Sequence, residues 1–230
     1  MSDLPGEKRS TYVQSMFARI AGRYDLLNRL ITMGQDVRWR KEVIRKVRLT
    51  SSSRLLDIGT GTGDLVREAL AQNPGAGVVG ADFTLEMMRV GQKKGRLNFA
   101  AADALHLPFQ TSTFDGVVSG FLMRNVIDIT LALEEQYRVL EKGGRVVILD
   151  TTRPQKNIFS PLIWIQLHII IPTLGRIFTK FGEAYHYLPE TTEDFVTAEE
   201  LAERMSSAGF VRVGFRRLMF GTIAIHWGEK

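Results

Sequence analysis

Residues 55–65 read LLDIGTGTGDL, and the fold follows from this run. An apolar stretch ends in the acidic residue Asp57, and Gly59, Gly61 and Gly63 follow at alternate positions. Lacking a Cβ, glycines at this spacing let the backbone pass close to a bound group. A helix expected to open near Asp64 aims its amide N–H groups at whatever sits above the strand end. The dinucleotide fingerprint G-x-G-x-x-G requires a glycine where this chain has Asp64, so the run is D-x-G-x-G-x-G instead.

Outward from this run the chain alternates apolar strands with helical stretches, which predicts an α/β fold around a mainly parallel sheet. Strands are expected over 54–58, 77–82, 97–101, 115–119 and 145–150, and helices over 64–72, 85–94 and 129–141. Lys142-Gly143-Gly144 reads as a helix stop and tight turn. A helix over 197–208 opens on Thr197, with Glu200 completing a capping box, and strands at 211–218 and 221–227 close the chain.

The 230 residues suit one domain, 1–230, with ordinary globular composition: 44% hydrophobic and 24% charged. The chain has no cysteine, which excludes disulfides, thiolate zinc sites and a cysteine nucleophile. The four histidines, at 106, 168, 186 and 226, show no ligand spacing, so no metal is expected. The opening MSDLPGEKRS lacks the layout of a signal peptide, and a cytoplasmic protein is expected.

Two segments stand outside the alternating core. Residues 1–50, a basic helical cover with helices expected over 11–32 and 36–48, hold 11 Lys/Arg against 5 Asp/Glu. Here Arg38, Lys41, Arg45 and Arg48 recur at helical spacing; the face they form is either merely solvated or drawn to an anionic membrane surface, and less readily to nucleic acid. The second segment is an insert over 151–196. Its stretch 157–175, NIFSPLIWIQLHIIIPTLG, contains no charged residue, yet Pro161, Pro172, Gln166 and His168 argue against a membrane span. The favoured reading is a hydrophobic lid over a substrate cleft, within reach of a bilayer; the alternative is a plain core helix.

The D-x-G-x-G-x-G spacing resembles that of class I S-adenosylmethionine-dependent methyltransferases, a Rossmann-like fold with a seven-stranded sheet. S-adenosylmethionine offers several handles, and the chain has a candidate for each. Asp82, at the end of the second strand, suits the ribose hydroxyls. Asp103 and Ala104, after the third, suit the adenine edge. Asp57 orders the loop formed by Gly59, Gly61 and Gly63 and meets the amino group of the methionine part. Thr62 adds a hydroxyl, and Gly120 leaves room for the sulfonium.

Two longer stretches narrow the resemblance. YDLLNRLITMGQDVRW at 24–39 and RVLEKGGRVVILDTTRP at 138–154 resemble the two signatures of the ubiquinone/menaquinone biosynthesis C-methyltransferase family. MRNVID at 123–128 and AYHYLPETTEDF at 184–195 are similar to it as well. The chain departs from the family pattern at Leu27, Thr32 and Asp36 (usually Met, Ser and His) and at Leu122 (usually Gly). Asp150-Thr151-Thr152 stands for Glu-x-Ser. The resemblance implies methylation of a ring carbon of a prenylated benzoquinol or naphthoquinol, with cofactor positions at Thr62, Asp82, Asp103, Ala104 and Gly120.

Carbon methylation requires alignment, exclusion of water, and stabilisation or deprotonation of the ring hydroxyl beside the attacking carbon. Arg124 is the candidate for electrostatic stabilisation, Asn125 for orienting the hydroxyl, and Tyr24 for a proton relay. His168 and His186 are candidate bases on the substrate side. The alternatives are a same-fold methyltransferase acting on another lipid-like acceptor, such as a sterol or phospholipid amine, and a non-catalytic cofactor-binding scaffold. A homodimer is admitted. Nucleic-acid methylation is disfavoured, since the Asp/Asn-Pro-Pro-Tyr/Phe motif and the cysteine nucleophile are both absent.

Overall fold

The computed structural model describes residues 6–155, 158–178 and 191–230. Seven strands form one sheet: β1 Arg54–Ile58, β2 Gly77–Asp82, β3 Phe99–Ala101, β4 Phe114–Gly120, β5 Leu140–Thr151, β6 Val211–Leu218 and β7 Ile223–Glu229. Their order is β3-β2-β1-β4-β5-β7-β6. Strands β1 to β5 are mutually parallel, and β7 runs antiparallel to both β5 and β6. The order reverses between β1 and β4, and the carboxyl ends of these two strands flank the crevice where open α/β sheets bind ligands.

Strand residues alternate between two cores, as the two-residue period of a strand covered on both faces demands. Leu56, Val117, Val146 and Ile148 pack on one face with Leu133 and Leu201. Leu55, Val118, Val147 and Leu149 pack on the other with Trp39, Val43 and Val66. The helices behind these contacts are α3 Gln35–Val47, α4 Asp64–Gln72, α6 Ile129–Val139 and α9 Ala198–Ser207, while α5 Leu85–Lys93 follows β2. At α9, Thr197 and Glu200 form the capping box read from sequence.

Some boundaries differ from expectation for identifiable reasons. Strand β3 starts at Phe99 rather than 97, because the Gln92 side chain takes up both the N–H and the carbonyl of Leu97. Helix α6 ends at Val139, where Leu140 already pairs with Phe114; residues 141–144 then bulge before pairing resumes at Arg145–Gly116. The helix expected over 11–32 is two helices, α1 Gly6–Ile20 and α2 Tyr24–Ile31, broken at Ala21-Gly22-Arg23.

The insert continues as α7 Ser160–Ile165, a π-helical turn Gln166–Ile170, and α8 Ile171–Phe178. A wider turn accommodates Pro172, which has no N–H for the helical ladder. Ile163, Leu167 and Ile171, each four residues apart, are buried against Val13, Met16, Ile20 and Leu27 of the N-terminal helices. The insert and the cover therefore share a core of their own, over the carboxyl end of the sheet. No helix among the described residues is long and apolar enough to cross a membrane.

Candidate functional site

The glycine run turns sharply from β1 into α4. Gly59 and Gly63 lie at φ 66° and 86°, in the left-handed region where a side chain is strained. A Cβ on Gly59 would stand 2.8 Å from Leu122, and one on Gly63 2.6 Å from Leu97. Asp82 holds the turn from the next strand, its carboxylate accepting from the N–H of Gly61 (2.7 Å) and of Thr84 (2.8 Å). Burial pushes the Asp82 carboxyl above its ordinary value, against those amide bonds.

Asp57 is 1% exposed. Its Oδ2 accepts from the Thr60 hydroxyl at 2.6 Å, while its Oδ1 is buried with no partner among the described residues. Burial raises its pKa to about 7; Asp82 and Asp64 add to the rise, while Thr60 and Arg40 oppose it. Asp57 lines a cavity of about 410 Å³ together with Tyr24, Arg40, Gly61 and Gly120. Arg40, on α3, directs Nη1 to Asp36 Oδ2 (2.6 Å) and Asp64 Oδ2 (2.8 Å). With Arg29 on Asp36 and Arg67 on Asp64, three arginines face two aspartates, so the cluster keeps one net positive charge.

A second cavity of about 410 Å³ shares Tyr24, Gly59, Gly61, Gly120 and Phe121 with the first and adds Asp82, Phe83 and Met87. The two form one crevice on either side of the glycine turn. It fits a zwitterionic nucleoside such as S-adenosylmethionine: the orphaned oxygen of Asp57 suits an ammonium, Arg40 a carboxylate, and Asp82 a ribose among apolar side chains. No group of three or more candidate metal-ligating residues occurs among the described residues.

A third cavity, of about 480 Å³, lies between α2, the insert and the ends of β4 and β5. It is mostly apolar, with Ile31, Leu167, Ile171 and Ile223, and its polar members include Asn28, Arg124 and Thr151. Phe121 lines all three cavities. Its φ of 60° is unusual for a bulky residue, so the surrounding structure holds strain at the point where the cavities meet. Arg124 pairs with Asp150 Oδ1 at 2.9 Å, and both are buried. Burial pushes the Asp150 carboxyl up, while Arg124 and the Thr151 N–H pull it down.

The remaining candidates are placed as follows. Thr62 sits inside the glycine turn, but its hydroxyl donates to Asp25 Oδ1 (2.8 Å), tying α2 to the loop; Asp25 also pairs with Lys94. Asn125 lines the second cavity and donates to the Phe121 carbonyl at 3.0 Å. Asp103 and Ala104 follow β3, but line none of the three cavities; Asp103 is exposed and accepts from the Leu105 N–H. His168 departs from the role expected of it: it stacks on Trp164 on the exposed side of the insert, within 3.5 Å of Glu193, and lines none of the three cavities described. The insert buries every fourth residue from Ile163, which turns His168 outward. His186 lies outside the described residues. Sequence reading missed Arg40, Asn28, Thr151 and Phe121; the signals available were an arginine four residues after Asp36, two polar residues inside quoted signatures, and an aromatic residue directly after Gly120.

Comparison with known proteins bears directly on this site. The model of the ubiE/COQ5 methyltransferase family matches residues 6–230. A ubiquinone/menaquinone biosynthesis C-methyltransferase UbiE of Desulfotalea psychrophila is 45% identical over 221 residues, covering 95% of this chain and 90% of the relative. A demethylmenaquinone methyltransferase of Thermus thermophilus is 42% identical over 220 residues, covering 94% and 100%. Among solved structures, a Haemonchus contortus phosphoethanolamine N-methyltransferase 2 holding S-adenosylhomocysteine superposes with a TM-score of 0.64. It is 16% identical and covers 84% of this chain and 52% of its own, a likeness of fold alone.

Proposed function

The chain belongs to the ubiE/COQ5 methyltransferase family, and from that premise we propose that it methylates a ring carbon of a prenylated quinol in menaquinone or ubiquinone biosynthesis. The cofactor is S-adenosylmethionine, which when bound supplies a methyl group on a sulfonium. The observation that carries the reading is the meeting, at Phe121, of a charged crevice and a mostly apolar cavity.

The chain's residues divide the work. Asp57 and Arg40 take the ammonium and carboxylate of the amino-acid end, and Asp82 the ribose; Asp103 and Ala104, after β3 and outside both cavities, meet an adenine that projects beyond them. Gly120 leaves space at the carboxyl end of β4, and Tyr24 covers the crevice from α2. Arg124 reaches the acceptor cavity with its charge already balanced by Asp150. It therefore stabilises a developing phenolate as a hydrogen-bond donor whose pair is rearranged, with less bare charge than an isolated arginine offers. Asn125 positions the Phe121 segment through its bond to the Phe121 carbonyl. The packed insert excludes water from the cavity.

The acceptor's tail also suits the surface. Ile158, Leu162, Trp164, Ile165, Ile169 and Ile170 are exposed along the insert, an apolar strip that belongs against a bilayer. Arg38, Lys41 and Arg45 on α3, with Arg48 just after its end, are exposed, which favours anionic headgroups. The test offers labelled cofactor with demethylated benzoquinol and naphthoquinol in detergent. Label on a ring carbon supports the reading; cofactor binding with no transfer to either quinol, but transfer to a sterol or phospholipid amine, overturns it.

A further inference from the structure

Two residues that line the apolar cavity, Asn28 and Thr151, each carry a buried side-chain atom, Nδ2 and Oγ1, with no hydrogen-bond partner among the described residues. Native structures pair nearly all such groups, so two orphans around one cavity call for a ligand. Their surroundings leave no partner among the described residues. The main-chain carbonyl of Asn28 accepts from the N–H (3.0 Å) and hydroxyl (2.7 Å) of Thr32, which fixes the residue but leaves its carboxamide nitrogen unused. The main-chain N–H of Thr151 donates to Asp150 Oδ1 at 2.7 Å, which fixes the backbone but not the hydroxyl. Asn28 comes from the helical cover and Thr151 from the end of β5, so the two approach the cavity from different elements.

Resting on the acceptor reading above, we propose that Asn28 and Thr151 grip the two ring oxygens of an aromatic 1,4-diol and make the enzyme select diols over monophenols. A carboxamide N–H donates to an oxygen in either its neutral or ionised form, and a threonine hydroxyl donates or accepts, so the pair fits hydroxyls whose protonation changes during reaction. A site built to hydrogen-bond an oxygen penalises a ligand that lacks it, because the protein's polar atom then stays buried and unpaired. An apolar cavity without these atoms gains little from the second oxygen.

The experiment compares a demethylated quinol with the monophenol lacking one ring oxygen, by equilibrium binding and by turnover in detergent. The wild-type chain is expected to prefer the diol by about tenfold or more in binding, the worth of one hydrogen bond per oxygen. In Thr151→Val and Asn28→Leu that preference falls to within about threefold, whereas Thr151→Ser restores it. S-adenosylhomocysteine affinity stays within about twofold in all three, which establishes that they fold. Replacing an unpartnered polar atom by an apolar group of similar shape also leaves melting temperature unchanged or raised, the opposite of what a structural hydrogen bond predicts. Equal binding of diol and monophenol by the wild type, or an undiminished preference in both apolar variants, overturns the proposal. Diol-selective binding that Thr151→Val abolishes, with no methyl transfer, supports the proposal and defeats only the reaction assigned above.

Discussion

Replacing Asp57 by asparagine separates what the buried carboxylate does for the fold from what it does for the cofactor. The carboxyl is 1% exposed and its pKa is raised from an ordinary 3.8 to about 7. Between these values the folded chain holds a proton that the unfolded chain releases, so stability falls as pH rises from about 4 to about 7 and is level above. At about 1.4 kcal/mol for each tenfold in proton affinity, the whole penalty is about 4 kcal/mol. Asparagine never ionises and still accepts from Thr60 through its carbonyl oxygen. The cofactor-free variant should therefore exceed the wild type by about 2 kcal/mol at pH 5 and by about 4 kcal/mol at pH 8, read by urea denaturation. Cofactor binding should move the other way, since an ammonium beside Oδ1 needs the ionised acid. Wild-type affinity for S-adenosylhomocysteine should rise between pH 6 and 8, with proton release near pH 7 detected by calorimetry in two buffers of different ionisation enthalpy. The variant should bind about a hundredfold more weakly at pH 8, with no proton release. A variant no more stable than wild type at pH 8, together with unchanged affinity, would refute both the burial cost and the ammonium contact.

Arg40→Met should weaken S-adenosylhomocysteine at least tenfold while leaving 5′-methylthioadenosine, which has no amino-acid end, nearly unchanged; equal loss for both ligands would make Arg40 purely structural. Asp150→Ala strands the buried Arg124 guanidinium and should cost about 3–5 kcal/mol in denaturation, far more than an exposed ion pair. His226 is held neutral beneath α9, its Nε2 lying 2.9 Å from the Ala198 carbonyl, and its pKa falls from 6.5 to about 4 through burial. The unfolded chain takes up that proton first, so stability drops as pH falls from about 6.5 to about 4, by about 3 kcal/mol in all, and His226→Gln should flatten that limb of a stability–pH curve. Thr197→Ala removes the cap at α9 and should lower stability by about 1 kcal/mol with no change in cofactor affinity.

The sequence by itself determined the elements whose causes are local. Continuous apolar runs placed β1 and β2, a threonine three residues before a glutamate placed the start of α9, and alternate glycines behind Asp57 placed the turn at the crevice. The glycine turn that lines the crevice was legible for the same reason, since the loop is continuous in the chain. Only the tertiary structure decided which polar atoms have partners. The Thr62 hydroxyl is committed to Asp25, 37 residues away, and His168 is turned outward because the insert buries a different stripe. Arg40 reaches the glycine turn from α3, and Asn28 meets the cavity that Thr151 lines from a strand end far along the chain. A residue's type and spacing fix its helical or strand face, but whether its hydrogen-bonding capacity is used up or held in reserve for a ligand depends on what packs opposite.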